Sequence, residues 1–182
     1  AYVGAVISVI IIKSGIEMMI ETLNDILGTR ADKETISEIR ALLTEEKDVR
    51  GAYDLIIHNY GPDKNLASVH IELPDTMTVK EVDRLTRKLE TKIYKETGII
   101  MTGVGVDSYN TSDDEAARIR RDIYKRVLAH DWVVQIHGFY ADLETKEMTF
   151  DVVMSFDIEP EKGLQIIYDE VCAAYPDFKI VI

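Results

Sequence analysis

The stretch from Gly51 to Asp75 constrains the fold of this chain more than any other, because it predicts a β-hairpin. Two runs rich in β-branched and aromatic residues, Tyr53 to Tyr60 and Leu66 to Leu73, flank the link Gly-Pro-Asp-Lys-Asn. Nearly every residue of that link favours a turn. Segments with helical periodicity lie on both sides, so a compact unit of helices and strands can be built outward from this hairpin.

The elements around the hairpin give the order α-β-β-α-β. Residues 32–47 predict a helix with one apolar face. Thr78 and Glu81 fit a capping box that starts a second helix, and residues 99–106 predict a third strand that contains two glycines. A hairpin followed by a crossover helix and a third strand predicts a ferredoxin-like α+β sandwich with its helices on one face of the sheet.

The rest of the chain repeats this order. Residues 110–114 are polar and predict a boundary. Beyond it lie a helix, two strands, a helix and a last strand, over residues 115–128, 132–142, 148–157, 160–174 and 178–182. We therefore predict tandem ferredoxin-like domains over residues 32–109 and 112–182, the second truncated at its C-terminus.

Residues 1–12 are free of charge and lead into a helical pattern that ends before Gly28. At about 1.5 Å per residue, such a helix covers about 18 Å of a bilayer core about 30 Å thick. Two interpretations of this segment stay open: a soluble core helix and the tail of a membrane span. The run is apolar all round, which favours a partly transmembrane helix over residues 1–28. Both ends of the sequence look cut, so we expect a fragment of a longer protein.

The charge and the motifs of the chain exclude several classes of function. A net charge of −12 disfavours nucleic acid as a partner and suits divalent cations. The single cysteine, Cys172, cannot form an internal disulfide. The sequence contains no nucleophile elbow, Walker loop, H-E-x-x-H or C-x-x-C motif. We therefore do not expect an enzyme.

One histidine lies where the strand pattern predicts a polar surface. Val69, Ile71 and Leu73 share one face of the second strand, so His70 is expected on the other face, away from the helices. Asp107 ends the third strand and is expected near the same edge. Imidazole and carboxylate together suit zinc, manganese or iron. A solvated histidine and a turn aspartate are the alternative.

The other three histidines give weaker signals. His58 lies in a strand that is apolar on both faces, which favours a hydrogen bond to the backbone over metal binding. His137 has no obvious acidic companion in strand register. His130, beside Asp131, is typical of a helix end. We expect structural roles for the last two.

Residues 1–109 resemble the last transmembrane helix and the cytoplasmic domain of the cation diffusion facilitator family, proton-coupled exporters of divalent metals. SGIEMMIETLNDILG, from Ser14, is similar to the family's S-G-x5-E-x4-L-L continuation. VRGAYDL, from Val49, is similar to V-x-G-x-H-D-L, and VHIEL, from Val69, is similar to V-H-I-E-V. The order of the three stretches makes the resemblance specific.

The resemblance implies a homodimer with a regulatory divalent metal, zinc before manganese or iron, at the dimer interface. His70 matches a strand-two histidine ligand, Asp107 a strand-three aspartate, and Asp83 a helix position that holds a histidine in zinc-binding members. Tyr53 stands where a hairpin histidine is expected, and His58 is a candidate replacement. The hairpin is accordingly expected to face the dimer partner.

We therefore expect the regulatory and dimerisation part of a divalent cation efflux transporter. The resemblance implies attachment to the cell membrane through the N-terminal helix, with residues after about 28 in the cytoplasm. The alternative is a soluble tandem ferredoxin-like module that senses a ligand or a metal.

Overall fold

The computed structural model describes residues 2–27, 33–61 and 64–182. The first elements are α1 (Tyr2–Leu27), α2 (Lys33–Thr44), β1 (Gly51–Asn59), β2 (Asn65–Pro74), α3 (Val79–Thr97) and β3 (Ile100–Tyr109). They are followed by α4 (Glu115–Val127), β4 (Val133–Asp142), β5 (Glu147–Met154), α5 (Pro160–Ala174) and β6 (Lys179–Val181). The predicted α+β class and its repeated α-β-β-α-β order are confirmed.

The first unit, residues 33–109, is a three-stranded sheet in the order β1-β2-β3 with α2 and α3 on one face. β1 pairs with β2 in antiparallel and β2 with β3 in parallel register. Val69, Ile71 and Leu73 are buried against the apolar faces of the helices. The opposite face carries His70 and Glu72, as strand alternation predicted.

The second unit, residues 115–182, repeats this topology with the order β4-β5-β6. β4 and β5 are antiparallel, and β5 and β6 are parallel. Its own core centres on Phe150 and Met148 of β5, which pack against Ile123 of α4 and Ile167 of α5. Each unit has its own core, while the exact domain boundaries stay a prediction.

The two crossover helices begin differently. Thr78 caps α3: its side chain accepts a hydrogen bond from the backbone of Glu81, whose carboxylate accepts one from the backbone of Thr78. The predicted capping box is therefore present, and Gly98 ends the helix with a φ of 71°. α5 begins with Pro160 instead, and its N-cap residue Glu159 makes no side-chain capping bond.

The helix α1 exposes apolar side chains between Val3 and Leu23. Val9, Ile10, Ile11 and Ile12 are each more than half exposed. Lys13 and Glu17, at 3.4 Å, form the first charged pair along the helix. Among the described residues, no helix combines the length and the apolar character needed to cross a membrane.

The second unit packs against the outer face of the first sheet, which is the face without helices. Arg120 of α4 lies 3.6 Å from the carboxylate of Glu72, which is only 6% exposed. The rings of Tyr53 and His137 stack with centroids 4.7 Å apart. Part of the face expected to meet a dimer partner is therefore covered by the same chain.

Candidate metal centre

Two irregular strands, one from each unit, meet at the centre of this contact. The register of β1 shifts between Tyr53 and Ile56, and Asp54 there has a φ of 50°. The register of β4 shifts between His137 and Tyr140, where Gly138 has a φ of 62°. Bulges of this kind re-aim side chains, and aspartate and glycine tolerate the left-handed conformation better than other residues.

The irregular strands bring together Asp54, His137 and Asp151, whose ligand atoms all lie within 4.8 Å of one another. Nε2 of His137 is 3.0 Å from Oδ2 of Asp54. Asp151 is the cross-strand partner of His137 on β5. His137 is 2% exposed, whereas both aspartates are exposed. The site thus has a buried imidazole and a rim of carboxylates open to solvent.

The imidazole of His137 is incompletely satisfied. Its Nδ1 is buried without a hydrogen-bond partner in the described part of the chain. A buried polar group left unpaired costs about 1–3 kcal/mol. Tyr53 stacks on the ring with an interplanar angle of 16° and fixes its orientation. Burial, and then the nearby Glu72 carboxylate, raises the pKa of Tyr53, so the stacked phenol stays neutral.

The predicted pair of His70 and Asp107 lies on the same side of the first sheet. Nδ1 of His70 is 3.7 Å from Oδ1 of Asp107, which is longer than a hydrogen bond. The His70 ring lies over Gly105, its partner on β3, where a Cβ atom would collide with it. Gly105 therefore makes the room that the histidine needs.

The second oxygen of Asp107 connects this pair to the cluster. Oδ2 of Asp107 is buried without a partner among the described residues. It lies 3.9 Å from the position that a Cβ on Gly138 would take, and Oδ2 of Asp151 lies 2.6 Å from that position. The two carboxylates thus converge above Gly138, and any side chain at this position would displace Asp151.

These donors fit a divalent cation of the zinc, manganese or iron type. Imidazole nitrogen and carboxylate oxygen are the ligands that such ions take, at about 2.0–2.2 Å for zinc. The unpartnered buried oxygen of Asp107 is the kind of group that a cation would satisfy. His70 is half exposed, at 51%, so an ion can reach this pair from solvent.

The other two predicted ligands lie elsewhere. Asp83 is exposed on α3, across the sheet from His70, and accepts a hydrogen bond of 3.0 Å from Arg87. His58 is exposed and pairs with Leu66, four residues along β2 from His70 and hence about 13 Å away. The structure does not bring either residue to His70, and their binding of metal stays a prediction.

A buried ion cluster borders the site. Glu72 lies between Arg50 and Arg120, at 3.7 and 3.6 Å. The guanidinium of Arg120 also lies 4.3 Å from the centre of the Tyr124 ring. A buried carboxylate is stable only when it is paired. These two arginines therefore serve Glu72 and form no ion pair with the aspartates of the site in the described structure.

The prediction that His137 lacks an acidic companion in strand register was wrong, because Asp151 lies directly across from it. One signal was present: Asp151 alternates with Phe150 and Val152, which places it on the outer face. The contact with Asp54 had no sequence signal. It depends on a bulge and on the packing of one unit against the other.

One comparison with known proteins locates a match on the first unit. Residues 31–109 match the family model described as cation efflux protein, cytoplasmic domain. A search among curated proteins gives no match.

Three solved structures are each similar to slightly less than half of this chain. One concerns the mode of action of a proposed zinc transporter, CzrB. It is 24% identical in sequence, the match covers 44% of this chain and 99% of that chain, and the TM-score is 0.40. The metal-bound C-terminal domain of the CzcD transporter from Thermotoga maritima has 22% identity, coverages of 48% and 99%, and a TM-score of 0.39. The MamB domain from Desulfamplus magnetovallimortis BW-1 has 17% identity, coverages of 45% and 99%, and a TM-score of 0.37.

Proposed function

Because residues 31–109 belong to the family of cation efflux protein cytoplasmic domains, we propose that this chain is the regulatory and dimerisation part of a proton-coupled divalent metal efflux transporter. The observation that carries the proposal is the coincidence of the matched range with the first unit, from α2 to β3. In this role the chain binds and responds to cations, and it catalyses no reaction.

Regulation would act through the pair of His70 and Asp107. A cation shared with a second copy of the chain would favour the dimer, with zinc as the first candidate and manganese or iron as alternatives. Such binding changes the arrangement only as far as the affinity differs between the two states. The net charge of −12 raises the local cation concentration, an effect that added salt weakens.

The membrane part of the proposal concerns α1. The exposed isoleucines from Ile10 to Ile12 would lie in lipid, and the helix would lead from the membrane into the cytoplasmic units. The charged pair of Lys13 and Glu17 marks the point at which the helix becomes polar. Burial of this apolar surface in a bilayer would remove it from water, which is favourable.

Sedimentation velocity of the whole chain with and without zinc chloride tests the proposal. We expect zinc to shift the monomer to a dimer, and the double substitution His70→Ala and Asp107→Ala to abolish the shift. Asp177→Ala, at an exposed position on the far unit, is the matched control and should leave the shift unchanged. A chain that stays monomeric at saturating zinc would contradict a metal-dependent dimer.

A soluble tandem module that senses a ligand or metal is the second candidate. The observation that favours it is that Arg120 and His137 of the second unit cover part of the outer face of the first sheet. Flotation with phosphatidylcholine vesicles separates the two candidates. The transporter part should float with the vesicles, and Ile11→Asp should prevent it, whereas a sensing module should remain in the dense fraction.

A further inference from the structure

We infer that Asp54, His137 and Asp151 form a second divalent-cation site, which joins the two units of the chain. This site goes beyond the proposed function, because His137 and Asp151 lie outside the range 31–109 that matches the family model. All three side chains meet within this one chain. A cation at this site would bind to both units at once.

The positions of the ligand atoms suit a small cation. In a tetrahedral zinc site with bonds of about 2.1 Å, neighbouring ligand atoms lie about 3.4 Å apart. Nε2 of His137 and Oδ2 of Asp54 are already 3.0 Å apart, and all three groups lie within 4.8 Å. Asp151 is exposed, so a change of its side-chain rotamer can bring its carboxylate closer.

The buried imidazole is an independent reason to expect a cation. A histidine that binds a metal uses one ring nitrogen for the ion. Nε2 of His137 already faces the carboxylate of Asp54 at 3.0 Å, so this nitrogen is the ligand atom of the site. Nδ1 is buried without a partner in the described structure, so the one polar contact of the ring is the contact within the site. The stacked ring of Tyr53 holds the imidazole in this orientation.

The charges around His137 also favour a bound cation. Asp151 forms no ion pair with any described residue, and it converges on Asp107 above Gly138. Like charges this close disfavour one another. Arg50 and Arg120 both pair with Glu72. A divalent cation would therefore offset a repulsion that the described side chains leave in place.

The site also has a structural consequence. Asp54 belongs to the first unit, and the other two ligands belong to the second. A cation held by both would stabilise their contact, since a ligand that binds only the assembled form favours that form by mass action. Cation binding would then fix the orientation of the second unit on the outer face of the first sheet.

Isothermal titration calorimetry of the whole chain with zinc chloride tests this site. Asp151→Asn should weaken zinc binding by at least about tenfold, as expected when a group of a metal site is lost. Asp131→Asn makes the same change in charge at an exposed residue of the same unit and should stay within about twofold of the unchanged chain. Asp54→Asn should reproduce the loss from the other unit. Circular dichroism, which reports both units, verifies that each variant is folded.

His70→Ala separates this site from the one in the proposed function. We expect this variant to keep the zinc binding that Asp151→Asn removes. If His70→Ala abolishes all zinc binding, or if Asp151→Asn and Asp54→Asn both bind like the unchanged chain, the inference is overturned. If His70→Ala has no effect on zinc binding or dimerisation while both aspartate variants lose affinity, the proposed function fails and the joint site stands.

Discussion

The two units share one topology but stabilise their helix pairs with different chemistry. In the first unit, Lys88 and Lys92 of α3 donate hydrogen bonds of 2.7 Å to Glu46 and Glu45, which follow α2. In the second, Tyr175 donates a hydrogen bond of 2.8 Å to Asp122 of α4. The shared feature is the apolar pattern, so this pattern specifies the fold and the polar contacts adapt to it.

The outer sheet faces differ in a second way. Each buries one polar side chain where the units meet: Glu72 in the first and His137 in the second. Glu72 has two arginine partners, whereas His137 has one aspartate and an unpartnered nitrogen among the described residues. One buried group is neutralised within the chain, and the other is left able to take a ligand.

The largest expected effect tests whether the two cores are independent. Phe150→Ala should destabilise the second unit by about 3–5 kcal/mol, and Leu89→Ala the first by about 2–5 kcal/mol. Denaturant unfolding followed by fluorescence of Trp132, the single tryptophan, reports the second unit, and circular dichroism reports both. Independent cores require Leu89→Ala to leave the fluorescence transition unchanged.

The control for this pair is Val79→Ala, because Val79 is 87% exposed. It should change the free energy of unfolding by less than about 0.5 kcal/mol. A shift of the fluorescence transition by Leu89→Ala as large as the shift by Phe150→Ala would show that the units unfold as one.

A smaller effect is expected at the contact between the units. Arg120→Ala removes one partner of the buried Glu72 and should cost about 1–3 kcal/mol, since Arg50 remains. Arg121→Ala, which breaks only the exposed pair with Asp113, should cost about 0–1 kcal/mol. Thermal denaturation compares the two variants. Equal losses would mean that the contact between units contributes no more than a surface ion pair.

The helix caps give the next prediction. Thr78→Ala removes the capping box of α3 and should destabilise the first unit by about 1 kcal/mol. Glu159→Ala at the equivalent position of α5 should have almost no effect, because Glu159 makes no capping bond. Circular dichroism during urea unfolding measures both. A loss for Glu159→Ala as large as that for Thr78→Ala would contradict this difference.

The smallest effect concerns alkaline pH and the second unit. Burial, and then the hydrogen bond to Asp122, raises the pKa of Tyr175 to about 12. Its contribution to stability is therefore complete below the unfolded tyrosine pKa of about 10 and is lost as the pH rises through about 12. Tyr175→Phe should flatten the decline of stability over this range in Trp132 fluorescence. If the decline is unchanged in this variant, other titrating groups cause the loss of stability.

The sequence predicted the parts of the fold that follow from local patterns. The alternation of Val69, Ile71 and Leu73 placed His70 on the outer face, and Thr78 with Glu81 located the start of α3. The same patterns predicted the repeat of the α-β-β-α-β order in the second unit.

These local patterns did not predict the site formed by Asp54, His137 and Asp151. Asp54 reaches His137 through a bulge and a left-handed backbone conformation. Neither feature produces a periodic pattern in the sequence. Asp151 faces His137 only in a register that skips residues between His137 and Tyr140. The packing of one unit against the other brings the three residues of this site together, and the same packing buries Glu72.

Anomalous diffraction from crystals of the whole chain grown with zinc chloride tests the central claim most directly. We predict a peak within about 2.3 Å of a ring nitrogen of His137 and of a carboxylate oxygen of Asp151, with Asp54 at the same ion. A map at saturating zinc with no peak at His137 would contradict a cation site that joins the two units.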